Sequence, residues 1–158
     1  MRLAVLLGTV VALGSPVVAA PQARDSSQLA SAVAQIRTLR EAKYLSGFAL
    51  AKGPYFSLIE TCVANGTKRD FVAMLGDRNP LIRVTGAICL AHVVDREEFL
   101  HVTARLADDA SVVILTVGCV EGERLQVSEV LTMLAEGRFL LRGGGRWGPP
   151  AVSMAPPN

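Results

Sequence analysis

Apolar positions recur at helical spacing through most of this chain, and from Gly53 to Gly137 they follow a repeating order of long apolar run, polar turn and shorter apolar run. The long runs are FSLIETCVANG, LIRVTGAICLAHV and SVVILTVGCVEG. Cys62, Cys89 and Cys119 sit late in each, 27 and 30 residues apart. The short runs, FVAMLGD, FLHVTARLADD and VLTMLAEG, end alike at Leu75, Leu106 and Leu134, with separations of 31 and 28. Two helices per period of about 30 residues is the pattern of stacked helical hairpins, in which each unit buries its apolar face against a neighbour. VVILTVGCV is the local rival, because its β-branched run from Val112 reads as a strand when taken alone. Its place in the repeat predicts a helix.

The best-punctuated stretch is Asp77 to Leu90, DRNPLIRVTGAICL. Asn79 is placed to cap a helix whose first position is Pro80, where a missing N–H costs nothing. Leu81, Val84, Ile88 and Ala91 then recur at spacings of three and four, and Ala87, Cys89 and Leu90 widen the apolar surface beyond one stripe. Such a helix must be packed on more than one side. Arg83, in its first turn, is expected to reach back toward Asp77.

Asp77, Pro80, Ile82 and Arg83, in the order D-x-x-P-x-(V/I)-R, resemble the turn of a HEAT repeat. The resemblance covers about residues 53–137 and is nearest to short bacterial-type repeats. It implies antiparallel hairpins stacked in a right-handed solenoid, used as a scaffold for protein partners along the inner helices. Only the turn at Asp77 carries the full pattern: in the cysteine register, the place of Arg83 is taken by Phe56 in the first unit and Val113 in the third.

Upstream, SQLASAVAQIRTLREAKYLSGFALAK predicts a long helix capped by Ser27, with Leu29, Val33, Ile36, Leu39 and Leu50 on its buried stripe and Arg37, Arg40, Glu41 and Lys43 facing water. Ser46 and Gly47 predict a bend, since glycine inside a helix costs about 1 kcal/mol relative to alanine. This segment is expected to cap the stack, whose outermost face has no neighbouring repeat. Before it, Met1 and Arg2 lead into an apolar run from Leu3 to Leu13 of 11 residues, interrupted by Gly14 and Pro16 and followed by the small residues Ala19 and Ala20. That reads as a secretory signal over residues 1–20, too short for the roughly 20 residues of a spanning helix. Cleavage is expected after Ala19 or Ala20, with Pro21 favouring Ala19. The expected organisation is thus signal 1–20, linker 21–26, helical domain 27–142, and a Gly/Pro-rich disordered tail 143–158.

Composition supports helix-on-helix packing: half the residues are hydrophobic but only 5% are aromatic. Fewer than 140 residues follow the signal, enough for a core held without metal or disulfide. Charge is uneven. Residues 21–137 carry 12 basic and 14 acidic groups, whereas 138–158 carry Arg138, Arg142 and Arg146 and no acid. No clustered basic face marks a nucleic-acid footprint.

Candidate chemistry is sparse. Three cysteines in an exported chain allow one bridge and one free thiol. Equivalent positions on neighbouring helices lie about 8 to 10 Å apart, wider than a disulfide accepts, so Cys62, Cys89 and Cys119 are expected to be buried, unbridged hydrophobes. Cys89 and His92 share a helix face, but with His101 they do not give zinc-type spacing. Glu97 and Glu98, Asp108 and Asp109, and Glu121 and Glu123 fall at helix starts or turns, where solvated carboxylates suit the helix dipole. Gly143 to Gly145 follow an apolar run and end a helix without the lysine of a phosphate loop. Trp147, beside Arg146, Pro149 and Pro150, has the composition of a docking peptide or of a free terminus.

The expected fold is therefore all-α: a short right-handed solenoid of HEAT-like hairpins with an N-terminal helical cap. The expected function is a non-catalytic, exported (periplasmic or extracellular) protein-interaction scaffold, without cofactor, metal or catalytic residues, nucleic-acid partner or stable membrane span. The alternative is an exported carrier of an apolar ligand or lipid. Both functional readings rest on fold analogy and aliphatic content.

Overall fold

A computed structural model describes residues 24–46, 51–118 and 122–137. Within them the chain runs α1 (Ser26–Thr38), β1 (Ala42–Ser46), β2 (Ala51–Lys52), α2 (Pro54–Asn65), α3 (Lys68–Met74), α4 (Pro80–Val93), α5 (Arg96–Thr103), a short 3₁₀ turn (Ala104–Leu106), β3 (Val112–Gly118), β4 (Glu123–Gln126) and α6 (Val127–Ala135). The described residues are mostly helical, with a small four-stranded sheet in the order β2-β1-β3-β4. None of the described helices is long and apolar enough to cross a membrane.

α4 is the central element. It contacts α1, α2, α3, α5, α6 and β3, and ten of its residues, Leu81 and Ile82 and then Val84 to Ala91, are buried. Its apolar residues go all the way round the helix, so no face is suited to water. Its start follows the local signals: the Asn79 side chain accepts from the Leu81 N–H at 2.8 Å and Pro80 occupies the first turn. α3 opens with a capping box in which Thr67 and Asp70 satisfy each other's backbone N–H groups. Around α4 the core is filled by Ile36, Tyr55, Ile59, Phe71, Phe99, Val130 and Leu134, all inaccessible or nearly so. The buried Tyr55 hydroxyl is satisfied, with Oη 2.9 Å from Thr85 Oγ1.

The sheet corrects two readings of the sequence. The helix expected to run from Ser27 to Lys52 ends at Thr38, and its cap is Asp25, whose carboxylate accepts from the Ser27 and Gln28 N–H groups. Leu39 is extended, and Ala42–Ser46 pairs as a strand on both edges. VVILTVGCV does not form the third long helix either: Val112–Gly118 is β3, parallel to β1 and antiparallel to β4. The β-branched run prevails because its partner strand is supplied from about seventy positions upstream, with Ala42 opposite Leu115. An all-α description is therefore too narrow. The other expected helices are present: α2 and α4 carry Cys62 and Cys89, and α3, α5 and α6 are the short partners. Leu50, the bend at Gly47, the signal segment 1–20, its cleavage positions and the tail 143–158 lie outside the described residues.

Candidate functional site

One concavity among the described residues lies between α5, with the 3₁₀ turn after it, and α6. It is a groove of about 370 Å³ walled by Phe99, Leu100, Ala104, Ala107, Leu131 and Ala135. Its shape follows from side-chain size: Phe99 and Leu131 anchor the two elements in the core, while Ala104, Ala107, Ser128 and Ala135 leave the space between them unfilled. Leu100 is next to Phe99 and so points about 100° away around the helix. Phe99 is inaccessible and Leu100 is 45% exposed, which makes the groove rim apolar.

Both helices hold this shape with capped ends. Asp95 accepts from the Glu98 N–H at 2.8 Å at the start of α5, and Gln126 and Glu129 form a capping box at the start of α6. Arg96 Nε donates to the Ala135 carbonyl at 2.9 Å, bringing the start of α5 against the end of α6. That start is acidic: Asp95, Glu97, Glu98 and His101 line a second, shallower concavity of about 330 Å³, and Glu98 pairs with Lys68. Two hydroxyls in the groove are engaged, since Thr103 and Thr132 donate to the carbonyls of Phe99 and Ser128. The groove thus offers apolar contact flanked by negative charge.

The sequence candidates are distributed as follows. Cys62 and Cys89, on neighbouring helices, are both inaccessible and unbridged, and their thiols are near enough to shift each other's titration. They are therefore closer than the spacing of helix axes suggests, because both side chains point into the same gap. Burial, with the adjoining Cys62 thiol, pushes Cys89 well above the ordinary thiol value, and the Cys89 thiol draws Cys62 down. With Cys119 replaced by serine, neither thiol should react with a water-soluble reagent faster than the chain opens. Modification of either at the rate of a free thiol in a native sample counts against this packing.

His92 lies in the last turn of α4 and His101 on α5. Among the described residues no three of His, Cys, Asp and Glu gather as metal ligands. Glu97 and Glu98 occupy the first turn of α5, and Glu123 is exposed on β4. Asp109 departs from the solvated role expected of it: Arg83 Nε and Nη2 donate to its two carboxylate oxygens at 2.7 and 3.2 Å. Arg83 does reach the Asp77 turn, but it donates to the backbone carbonyl there, at 2.8 Å, and the Asp77 carboxylate pairs with Arg37 instead. Glu41, expected in water, accepts from the Thr116 hydroxyl of β3. Cys119, Glu121, Gly143 to Gly145 and Trp147 fall outside the described residues.

The groove residues themselves were not singled out by sequence. One signal was available: Phe99 and Leu100 are adjacent in a short helix whose remaining surface is charged, and a one-sided helix cannot bury both. The sequence matches no protein-family model and no curated protein.

Proposed function

We propose that the chain is an exported, non-catalytic interaction scaffold built on HEAT-like hairpins, and that the groove between α5 and α6 receives an apolar segment of a protein partner. The hairpin reading is supported by two successive units, Pro54–Met74 and Pro80–Thr103, each a long helix followed by a short one, with Cys62 and Cys89 adjacent at corresponding places. In this reading the stack is short and right-handed, and the sheet replaces the first helix of a third unit. Export is read from the sequence of residues 1–20.

The observation that carries the functional reading is the groove: an exposed Leu100 beside small, recessed residues, next to the acidic start of α5. An apolar side chain flanked by lysine or arginine complements both parts. Selection of displayed peptides on the immobilised chain, repeated with Leu100→Glu, tests this. Apolar-anchored peptides with basic flanks are expected, and Leu100→Glu should weaken them at least about tenfold, equivalent to roughly 1.4 kcal/mol. Peptides that bind both proteins equally, or a lipid extract that raises the melting temperature and leaves lipid bound, would replace this reading with another surface or with the carrier.

A further inference from the structure

We propose that the hollow between the start of α4 and β3 binds a short aliphatic monocarboxylate, with Arg40 and Arg124 holding the carboxylate and the apolar walls receiving the tail. The site is separate from the groove between α5 and α6 and does not depend on it.

The hollow has a volume of about 200 Å³, and its apolar walls include Leu39, Pro80, Leu81, Val112 and Ile114. Arg40 and Arg124 line it as well. They come from opposite sides of one strand: Arg40 stands two residues before β1, Arg124 lies in β4, and β3 runs between β1 and β4. Two strand spacings, about 10 Å, separate those flanks, and long side chains from both reach the space over β3.

Register places the residues on one face. Arg124 sits directly opposite Ile114, and Val112 is two positions along from Ile114, so all three project from the same side of the sheet. Val113 and Leu115 alternate with them and are buried in the core. Glu123 precedes Arg124 in β4 and therefore projects from the side away from Arg124. Val112 is 43% exposed, an apolar side chain that a bound tail would cover.

Charge selects an anion. Neither arginine side chain has a hydrogen bond or ion pair with another described residue. The carboxylates of adjoining segments are engaged elsewhere: Glu41 accepts from the Thr116 hydroxyl, Asp77 pairs with Arg37, and Asp109 pairs with Arg83. Two guanidinium groups thus remain, and a carboxylate accepts parallel N–H bonds from such a fork. The start of α4 adds the positive end of its dipole. Its first N–H groups are already used, Leu81 by the Asn79 side chain and Ile82 and Arg83 by the Asn79 carbonyl, so the donors must come from the arginines.

Size and lining narrow the ligand further. The volume lies below the roughly 300 to 1,000 Å³ of pockets that take drug-sized molecules, so the tail is short. A bare anion such as phosphate leaves the apolar walls uncovered, and an alcohol with the same tail leaves both arginines without a partner. A monocarboxylate satisfies both.

The test follows the amide NMR spectrum of the full chain during titration with hexanoate, hexanol and inorganic phosphate. Hexanoate should give saturable shifts at the amides of Leu39, Arg40, Val112, Ile114 and Arg124. Arg40→Gln and Arg124→Gln should each weaken its binding at least about fivefold, and the double variant should abolish it. Both arginines are exposed, so these variants should keep the wild-type melting temperature. Val112→Asp keeps both arginines and sets a like charge beside the tail, and it should also abolish the shifts. Leu100→Glu, in the other groove, should bind hexanoate as the wild type does, so failure of the scaffold reading and failure of this site are told apart. Hexanol or phosphate binding as tightly as hexanoate overturns the proposal, as do shifts that never saturate or that survive both arginine substitutions. Tighter binding, at the same amides, of a short peptide ending in a free leucine carboxylate overturns the free acid in favour of a chain terminus.

Discussion

Arg83→Ala is expected to destabilise the chain by about 2 kcal/mol at neutral pH, less than removing one partner from a fully buried ion pair costs, because this pair is partly buried. The side chains of Arg83 and Asp109 are only 11% and 13% exposed, and the guanidinium engages both carboxylate oxygens. Its remaining nitrogen donates to the carbonyls of Asp77 and Arg78, at 2.8 and 3.1 Å. One side chain thus ties the first turn of α4 to the turn before it and to the loop that leads into β3. Asp109 extends the connection, since it also accepts from the Ser111 N–H and its carbonyl accepts from the Ser128 N–H of α6. Alanine would leave the sheltered carboxylate with only the Ser111 N–H as a donor and would remove the bonds to the Asp77 and Arg78 carbonyls. Arg83→Lys keeps the charge but not the fork, and should fall between the two.

The same pair has a pH signature. Burial pushes the Asp109 carboxyl up, but the hydrogen bonds from Arg83 and Ser111 and the Arg83 charge outweigh it, and the net shift is downward. A carboxyl with a folded-state value below its unfolded value of about 3.9 contributes stability above that pH, lost as pH falls through the folded value. Asp77, lowered by the Asn79 N–H and Arg37 against its own burial, acts in the same direction. Urea denaturation should therefore show a wide gap between wild type and Arg83→Ala at about pH 7 that narrows toward about pH 3. A gap of equal width at both would assign the loss to packing of the arginine stem and not to the ion pair.

The second large effect is expected at Gly86. Glycine in a helix interior costs about 1 kcal/mol against alanine, so propensity alone predicts that a larger residue stabilises α4. Packing predicts the opposite. A Cβ at Gly86 would stand 2.8 Å from Met74 Cβ and 2.8 Å from the Phe71 carbonyl oxygen, with the Leu75 nitrogen at 3.3 Å. Two of those three atoms are backbone, and α3 can give way only by withdrawing Phe71 and Leu75 from the core. Gly86→Val should cost about 3 kcal/mol, the upper end of ordinary overpacking, and lower the melting temperature by about 10 °C for a domain of this size. Gly86→Ala should also destabilise, by less. A melting temperature within a degree or two of wild type for Gly86→Val would mean that the two helices do not approach this closely.

These two residues mark where legibility ends. Arg83 was conspicuous, as a lone charge in an apolar helix start, and its role in the turn could be anticipated; its carboxylate partner could not, because Asp109 lies 26 positions away. Gly86 raised no signal, since a glycine in a helix announces a close approach only once the other helix is in place. The groove was hidden for a related reason. It consists of small residues from two helices, and alanines at Ala104, Ala107 and Ala135 become a recess only when a neighbour fails to fill the space.

By itself the sequence determined the elements whose punctuation is local. α4 follows from Asn79, Pro80 and an apolar period, α3 from the short apolar run FVAMLGD after a polar turn, and the burial of Cys62 and Cys89 from their places late in apolar helices. Tertiary structure alone decided the sheet. Ala42–Ser46 has no strand signature strong enough to stop a helix, and Val112–Gly118 satisfies both a β-branched run and a helical repeat; each becomes a strand because the other is there to accept its hydrogen bonds. Helical hydrogen bonds close within four residues and are written into neighbouring positions, whereas a parallel pair is completed across the whole intervening chain, and only the folded molecule brings its two halves together.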